Sequence, residues 1–183
     1  APAVRFGDGA TMSRFCLAVD VSRSKVARAR MSSALSPLWR EMAGIPGFAY
    51  GFADVGDVHL IDRGEYYTSA RSCRVTMPQQ LKRSLWESHP GAGREKVRGV
   101  YWCNIFGKEL ARAVDGAQLL EASEQRPCLP GEKLGSSLPG GGIAVFLCGQ
   151  MEEFIYPYWM LMPSTLDNYA WLWRWLAAHG ALL

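Results

Sequence analysis

The chain has 183 residues, of which 49% are hydrophobic and 20% are charged, and its formal net charge at pH 7 is +3. This composition is typical of a folded globular protein and excludes a disordered chain. The length suffices for one hydrophobic core, so we expect residues 1–183 to form a single domain. The apolar runs are much shorter than the ~20 residues of a membrane span, so we expect no transmembrane helix.

Positive charge is concentrated at the start of the sequence, where residues 1–40 contain seven Lys or Arg residues against Asp8 and Asp20. Nucleic-acid-binding proteins combine a dense basic stripe with exposed aromatic residues or a recognised module. The basic residues between 23 and 30 instead alternate along one predicted helix, which is typical of a solvated face. We therefore expect no nucleic-acid partner.

The five cysteines are an odd number and include no Cys-x-x-Cys pair. Neither a complete disulfide framework nor a zinc site of common spacing can be built from them, and we expect no cofactor. Cys16, Cys103 and Cys148 lie in apolar runs, where cysteine behaves as a small buried hydrophobe. This favours a reducing compartment and a cytoplasmic protein, although a leader removed before Ala1 stays open.

Hydrophobic periodicity and breaker residues predict an alternation of strands and helices. Strands are predicted over residues 14–21, 48–52, 55–62, 99–106 and 143–148, and helices over residues 24–43, 78–89, 108–114 and from 164 onward, with a short element at 119–124. Ser164 is the predicted N-cap of the last helix. This order predicts an α+β fold, in which helices pack on one face of a mixed or antiparallel sheet; two ferredoxin-like halves would satisfy it.

Metal-capable side chains occur at Asp57, His59 and Asp62. On a strand, Asp57 and His59 face one way and Asp62 faces the other, so the three cannot meet one ion. We predict no metal site there. The glycines at 140–142 predict a turn, because no Lys-Ser/Thr pair follows them as a phosphate-binding loop requires.

The best candidate for a nucleophile is Cys73, which Arg71 and Arg74 flank, with His59 or His89 as its base. A thiol in such a loop is more often a bystander than a nucleophile. We expect no enzymatic activity, and a cysteine-dependent hydrolase that uses Cys73 is the alternative.

The segment 101–116 contains a Trp-x-Asn-x-x-Gly strand and then a short helix pattern that ends at Gly116. A helix from Ser24, strands at 47–52 and 57–60, a Leu-Pro-Gly-Gly-Gly turn at 138–142 and a closing helix accompany it in order. In these features the chain resembles immunity proteins of bacterial type VI secretion and polymorphic-toxin systems. It departs from their pattern at Cys103, where a small residue is usual, and at residues 121–137, which the pattern lacks.

The resemblance implies an α+β domain that occludes the active site of a cognate toxin. Such a domain has a protein partner and needs no catalytic residues. A non-catalytic scaffold domain is a further alternative, and exposed aromatic residues would permit a homodimer. Candidate partner-binding residues are polar or aromatic side chains in the predicted strand at 55–62, in the turn that follows it and in the acidic final third. They are His59, Glu65, Tyr66, Tyr67, Arg71, Glu152, Glu153 and Trp173.

Overall fold

The computed structural model describes residues 3–5, 11–13, 37–53, 91–126, 128, 133–149 and 163–182. The strands predicted at 14–21 and 55–62 and the helix predicted at 78–89 lie outside these residues.

The described elements are short strands and helices. In chain order they are β1 (Ala3–Arg5), β2 (Thr11–Ser13), α1 (37–43), β3 (Tyr50–Ala53), β4 (Cys103–Phe106), α2 (Lys108–Ala113), α3 (Gly116–Glu124), β5 (Gly135–Ser137), a 3-10 turn (Pro139–Gly141), β6 (Ile143–Phe146) and α4 (Pro163–Ala178). Among the described helices, none combines the length and the apolar character that a bilayer crossing requires.

Four strands form an antiparallel sheet in the order β3-β4-β6-β5, and β1 pairs with β2 in a separate two-stranded ladder. In the larger sheet β4 is central: Ile105 is opposite Gly51 of β3 on one side and Ala144 of β6 on the other. The helices on this antiparallel sheet confirm the predicted α+β fold.

The central strand β4 is buried on both faces, as the sequence predicted. Each of its four side chains is at most 1% exposed. The strand begins at Cys103 rather than at residue 99, because the Asn104 side chain forms hydrogen bonds with the backbone N–H and the backbone carbonyl of Tyr101. Those two groups are thereby diverted from the sheet ladder, and the chain bends at Trp102 before the strand begins.

The helices add their apolar faces to the same core. Leu110 of α2, Leu119 of α3 and Leu172 of α4 are each at most 1% exposed and belong to one cluster with the β4 side chains. α3 begins after Asp115, whose carboxylate accepts a hydrogen bond from the backbone N–H of Gln118 at 3.4 Å. This is N-capping, and it lets α3 start directly after α2.

The capping role predicted for Ser164 is wrong. The helix α4 begins at Pro163, so Ser164 lies inside its first turn and cannot be the N-cap. Proline suits this position because it has no backbone N–H and its fixed φ already matches the helix.

Candidate functional site

Most of the predicted partner-binding residues lie outside the described part of the chain. These are His59, Glu65, Tyr66, Tyr67, Arg71, Glu152 and Glu153, together with the alternative nucleophile Cys73 and its candidate bases. Their role as contacts stays a prediction.

Trp173 is the predicted contact residue that the structure describes. It is half-buried on α4, and its ring stacks on that of the fully buried Tyr169, with centroids 6.0 Å apart and planes 22° apart. Trp171 and Trp175, on the other side of α4, are also half-buried and also pack against the core. Trp173 therefore presents only part of its indole ring to a partner.

The residues of the Trp-x-Asn-x-x-Gly segment have structural roles. Asn104 is fully buried; its Oδ1 accepts from the N–H of Tyr101 at 3.0 Å, and its Nδ2 donates to the carbonyls of Tyr101 at 2.7 Å and Val145 at 3.4 Å. Trp102 packs edge-on against Phe146, with ring centroids 5.4 Å apart. These side chains face the interior and fix β4 against β6, so they do not form a contact surface.

The described thiols differ in their access to solvent. Burial raises the pKa of the Cys103 thiol far above its ordinary value, which keeps the sulfur protonated and unreactive. Cys148 is buried as well, whereas Cys128 is exposed in a shallow depression of about 260 Å³ beside Lys133 and Glu124. Within the described ranges, no group of three His, Cys, Asp or Glu side chains could hold a metal ion.

The candidate partner site is a shallow, open surface depression of about 520 Å³ where the end of α1 meets the 3-10 turn. Its lining consists of Arg40, Glu41, Gly44, Ile45, Pro46 and Pro139. Ile45 is 58% exposed, and no other large apolar side chain in the described ranges is as exposed. We call this surface the Ile45 depression.

A tight turn holds Ile45 in place. The N–H of Phe48 donates to the carbonyl of Ile45 at 3.0 Å, Pro46 is the second residue of the turn, and Gly47 is the third, with φ +80°. These are the features of a type II turn, whose third residue has a positive φ that glycine adopts without strain. Phe48 packs against the core and ties the turn to the sheet.

A single exposed isoleucine is common on protein surfaces. Ile45 differs because two prolines and a hydrogen-bonded turn surround it, and because exposed charges of opposite sign, Arg40 and Glu41, line the same depression. An apolar centre with a charged border is the usual composition of a protein–protein contact.

Ile45 is not among the functional residues that the sequence predicted. The signal was present, because a large apolar side chain directly before a Pro-Gly breaker lies in a turn, where burial is difficult. Pro139 could not have been assigned to the same surface, because almost a hundred residues separate it from Ile45 in the sequence.

Comparison with models of protein families gives no match, and neither does comparison with curated proteins or with solved structures.

Proposed function

We propose that this protein binds a cognate bacterial toxin and neutralises it by covering the toxin's active site. The observation that carries the proposal is the Ile45 depression. The exposed Ile45 side chain lies there on an ordered turn, and Arg40 and Glu41, which have opposite charges, line the same depression. Such a surface binds by complementarity and needs no chemistry of its own.

The exposure of Ile45 supplies a source of binding energy. Complete burial of an isoleucine side chain is worth about 1.5–3 kcal/mol, and Ile45 is 58% exposed before a partner binds. The turn between Ile45 and Phe48 is already ordered, so little conformational entropy is lost when a partner covers it.

The resemblance to immunity proteins supports a toxin as the partner. The structure has the strand, helix and turn of the resembling segments in the expected order, at Cys103–Phe106, Lys108–Ala113 and Pro139–Gly141. The inward-facing Asn104 would maintain the framework, and the partner would contact the surface outside it.

A growth assay tests the proposal. The proposal predicts a larger toxin gene directly beside the gene for this protein, and that neighbouring gene is expressed in a tester bacterium, alone and together with this chain. We expect the neighbouring product to arrest growth and this chain to restore it. A neighbouring product that is toxic but not neutralised would refute the proposal, and so would one that is not toxic.

Two variants connect the assay to the Ile45 depression. Ile45→Glu places a carboxylate in the apolar centre, and we expect it to abolish rescue while the free energy of unfolding changes by less than about 0.5 kcal/mol, as is usual at an exposed site. Ala117→Glu is the matched control, because Ala117 is exposed in the first turn of α3. If Ile45→Glu rescued growth as well as Ala117→Glu did, the toxin contact would lie elsewhere on the protein.

A further inference from the structure

Arg126 is held in a fixed orientation just after the end of α3. Its Nε donates a hydrogen bond to Oδ1 of Asn168 at 3.0 Å, and its guanidinium carbon lies 5.5 Å from the centre of the Trp171 ring. The arginine is half-buried. A hydrogen bond and a cation–π contact therefore restrain a side chain that is usually flexible.

The partner of Arg126 is fixed as well. Asn168 is 1% exposed, and its Nδ2 donates to the carbonyl of Leu147 at 2.9 Å. Because that bond assigns the amide nitrogen to Leu147, the oxygen of Asn168 faces Arg126 as an acceptor. Asn168 is thus a positioning residue that connects the orientation of Arg126 to the loop after β6.

Besides Nε, the Arg126 guanidinium has two terminal nitrogens that can donate hydrogen bonds. In the part of the chain that the structure describes, neither of them donates a hydrogen bond, and no carboxylate forms an ion pair with the guanidinium. The side chain thus combines a full positive charge, an ordered position and two adjacent donor groups. That geometry matches a carboxylate, which accepts two parallel hydrogen bonds from one arginine.

We propose that Arg126, supported by Trp171, is a contact residue that binds an aspartate or glutamate side chain of the toxin. This inference rests on the proposed function and adds a second contact surface to the Ile45 depression. Arginine and tryptophan are enriched among the residues that dominate binding energy, and an ordered arginine loses little entropy when it binds.

Acidic residues close in the sequence to Arg126 and to Asn168 favour a single carboxylate over a nucleic-acid backbone. Glu121 and Glu124 are exposed on α3, and Asp167 is exposed directly before Asn168. A nucleic acid brings a regular series of phosphates that these acids would repel. One carboxylate directed at Arg126 meets much less repulsion, so the surface suits a protein partner.

Binding to the purified neighbouring toxin tests the inference, with wild type, Arg126→Gln, Arg126→Lys and Arg112→Gln compared by calorimetry. We expect Arg126→Gln to weaken binding about 10- to 100-fold, as for a lost charge-assisted hydrogen bond. Arg126→Lys should recover part of that loss, because it keeps the charge without the planar pair of donors. Arg112→Gln removes the same charge from an exposed position on α2 and should change the affinity less than about 3-fold.

Charge reversal identifies the acceptor. Individual Asp and Glu residues of the toxin are changed to Arg, and binding is measured with Arg126→Glu. One of these toxin variants should bind Arg126→Glu at least about 10-fold more tightly than the unchanged toxin does, as coupled charges do in double-mutant cycles.

The outcomes separate this inference from the function on which it rests. If wild type binds the toxin and Arg126→Gln binds as tightly as Arg112→Gln, the carboxylate contact is refuted and the proposed function stands. If wild type does not bind, both are refuted. If Arg126→Gln lost both affinity and thermal stability while Arg126→Lys retained both, the charge would be required but not the paired donors, which would overturn the bidentate contact.

Discussion

Gly107 is a glycine that we expect to resist substitution for reasons of space alone. It lies between β4 and α2 with φ −65° and ψ 169°, a backbone conformation open to any residue. A Cβ atom at this position would lie 2.1 Å from the carbonyl oxygen of Phe48 and 2.8 Å from that of Ala49. Since carbon and oxygen atoms ordinarily approach to about 3.3 Å, Gly107→Ala requires the backbone before β3 to move by about 1 Å.

The cost follows from two terms. Forcing a methyl group into a packed site costs about 1–3 kcal/mol. The same movement breaks the buried hydrogen bond from the N–H of Gly107 to the carbonyl of Ala49, now 2.8 Å, for another 1–3 kcal/mol or so. We expect Gly107→Ala to lower the free energy of unfolding by about 4 kcal/mol, which lowers the melting temperature by about 8–16 °C in a chain of this size.

Urea unfolding followed by circular dichroism measures the effect, with Gly47→Ala as the matched control. Gly47 has φ +80°, and apart from its chain neighbours no atom of the described residues would lie within 4 Å of its Cβ. Its substitution therefore costs only backbone strain, about 1–2 kcal/mol. If Gly107→Ala cost no more than Gly47→Ala, the close approach of the two segments would be refuted. The glycine of the Trp-x-Asn-x-x-Gly segment would then need a functional explanation.

Four further predictions concern buried hydrogen bonds and thiols. Asn104→Ala removes three buried hydrogen bonds and should lower the free energy of unfolding by about 2–4 kcal/mol; a loss below about 1 kcal/mol in urea unfolding would contradict the role of Asn104. Trp175→Phe removes the 2.7 Å bond from the indole Nε1 to the carbonyl of Val114 and should cost about 1–2 kcal/mol in thermal unfolding, so an unchanged melting temperature would argue against that bond. Burial raises the pKa of the Cys103 thiol, so above pH 9 this thiol loses its proton in the unfolded chain but keeps it in the native state. The free energy of unfolding should therefore fall by about 1.4 kcal/mol per pH unit because of this group. The Cys103→Ala variant should show a correspondingly shallower decline between pH 9 and 10.5. In native protein treated with iodoacetamide, peptide mass spectrometry should show Cys128 alkylated well before Cys103, and equal rates would contradict the burial of Cys103.

Much of the fold could be predicted from local patterns. The strand at 143–146, the helix at 108–113, the turn at 139–141 and the double burial of β4 all agree with expectations from spacing and breaker residues. The N-terminal bounds of β4 and α4 were wrong. At β4 the reason is that the Asn104 side chain forms hydrogen bonds with the backbone N–H and carbonyl of Tyr101, which a longer strand would use in the sheet.

The candidate sites were harder to predict than the fold. Burial patterns do not show which exposed residues lie side by side, and the Ile45 depression joins α1 to a turn that comes much later in the chain. Arg126 and Asn168, 42 residues apart, become partners only because α4 packs beside the end of α3. No local pattern distinguishes Arg126 from the other arginines of the chain.

The sequence by itself determined the fold class and the positions of several described elements, because these depend on apolar periodicity and turn residues within a few positions of each other. Only the tertiary structure decided the strand order β3-β4-β6-β5, the interior role of Asn104 and the close approach of Gly107 to Phe48. The physical reason is that these features depend on which distant segments pack together. That choice minimises the free energy of the whole core and is encoded in no single segment.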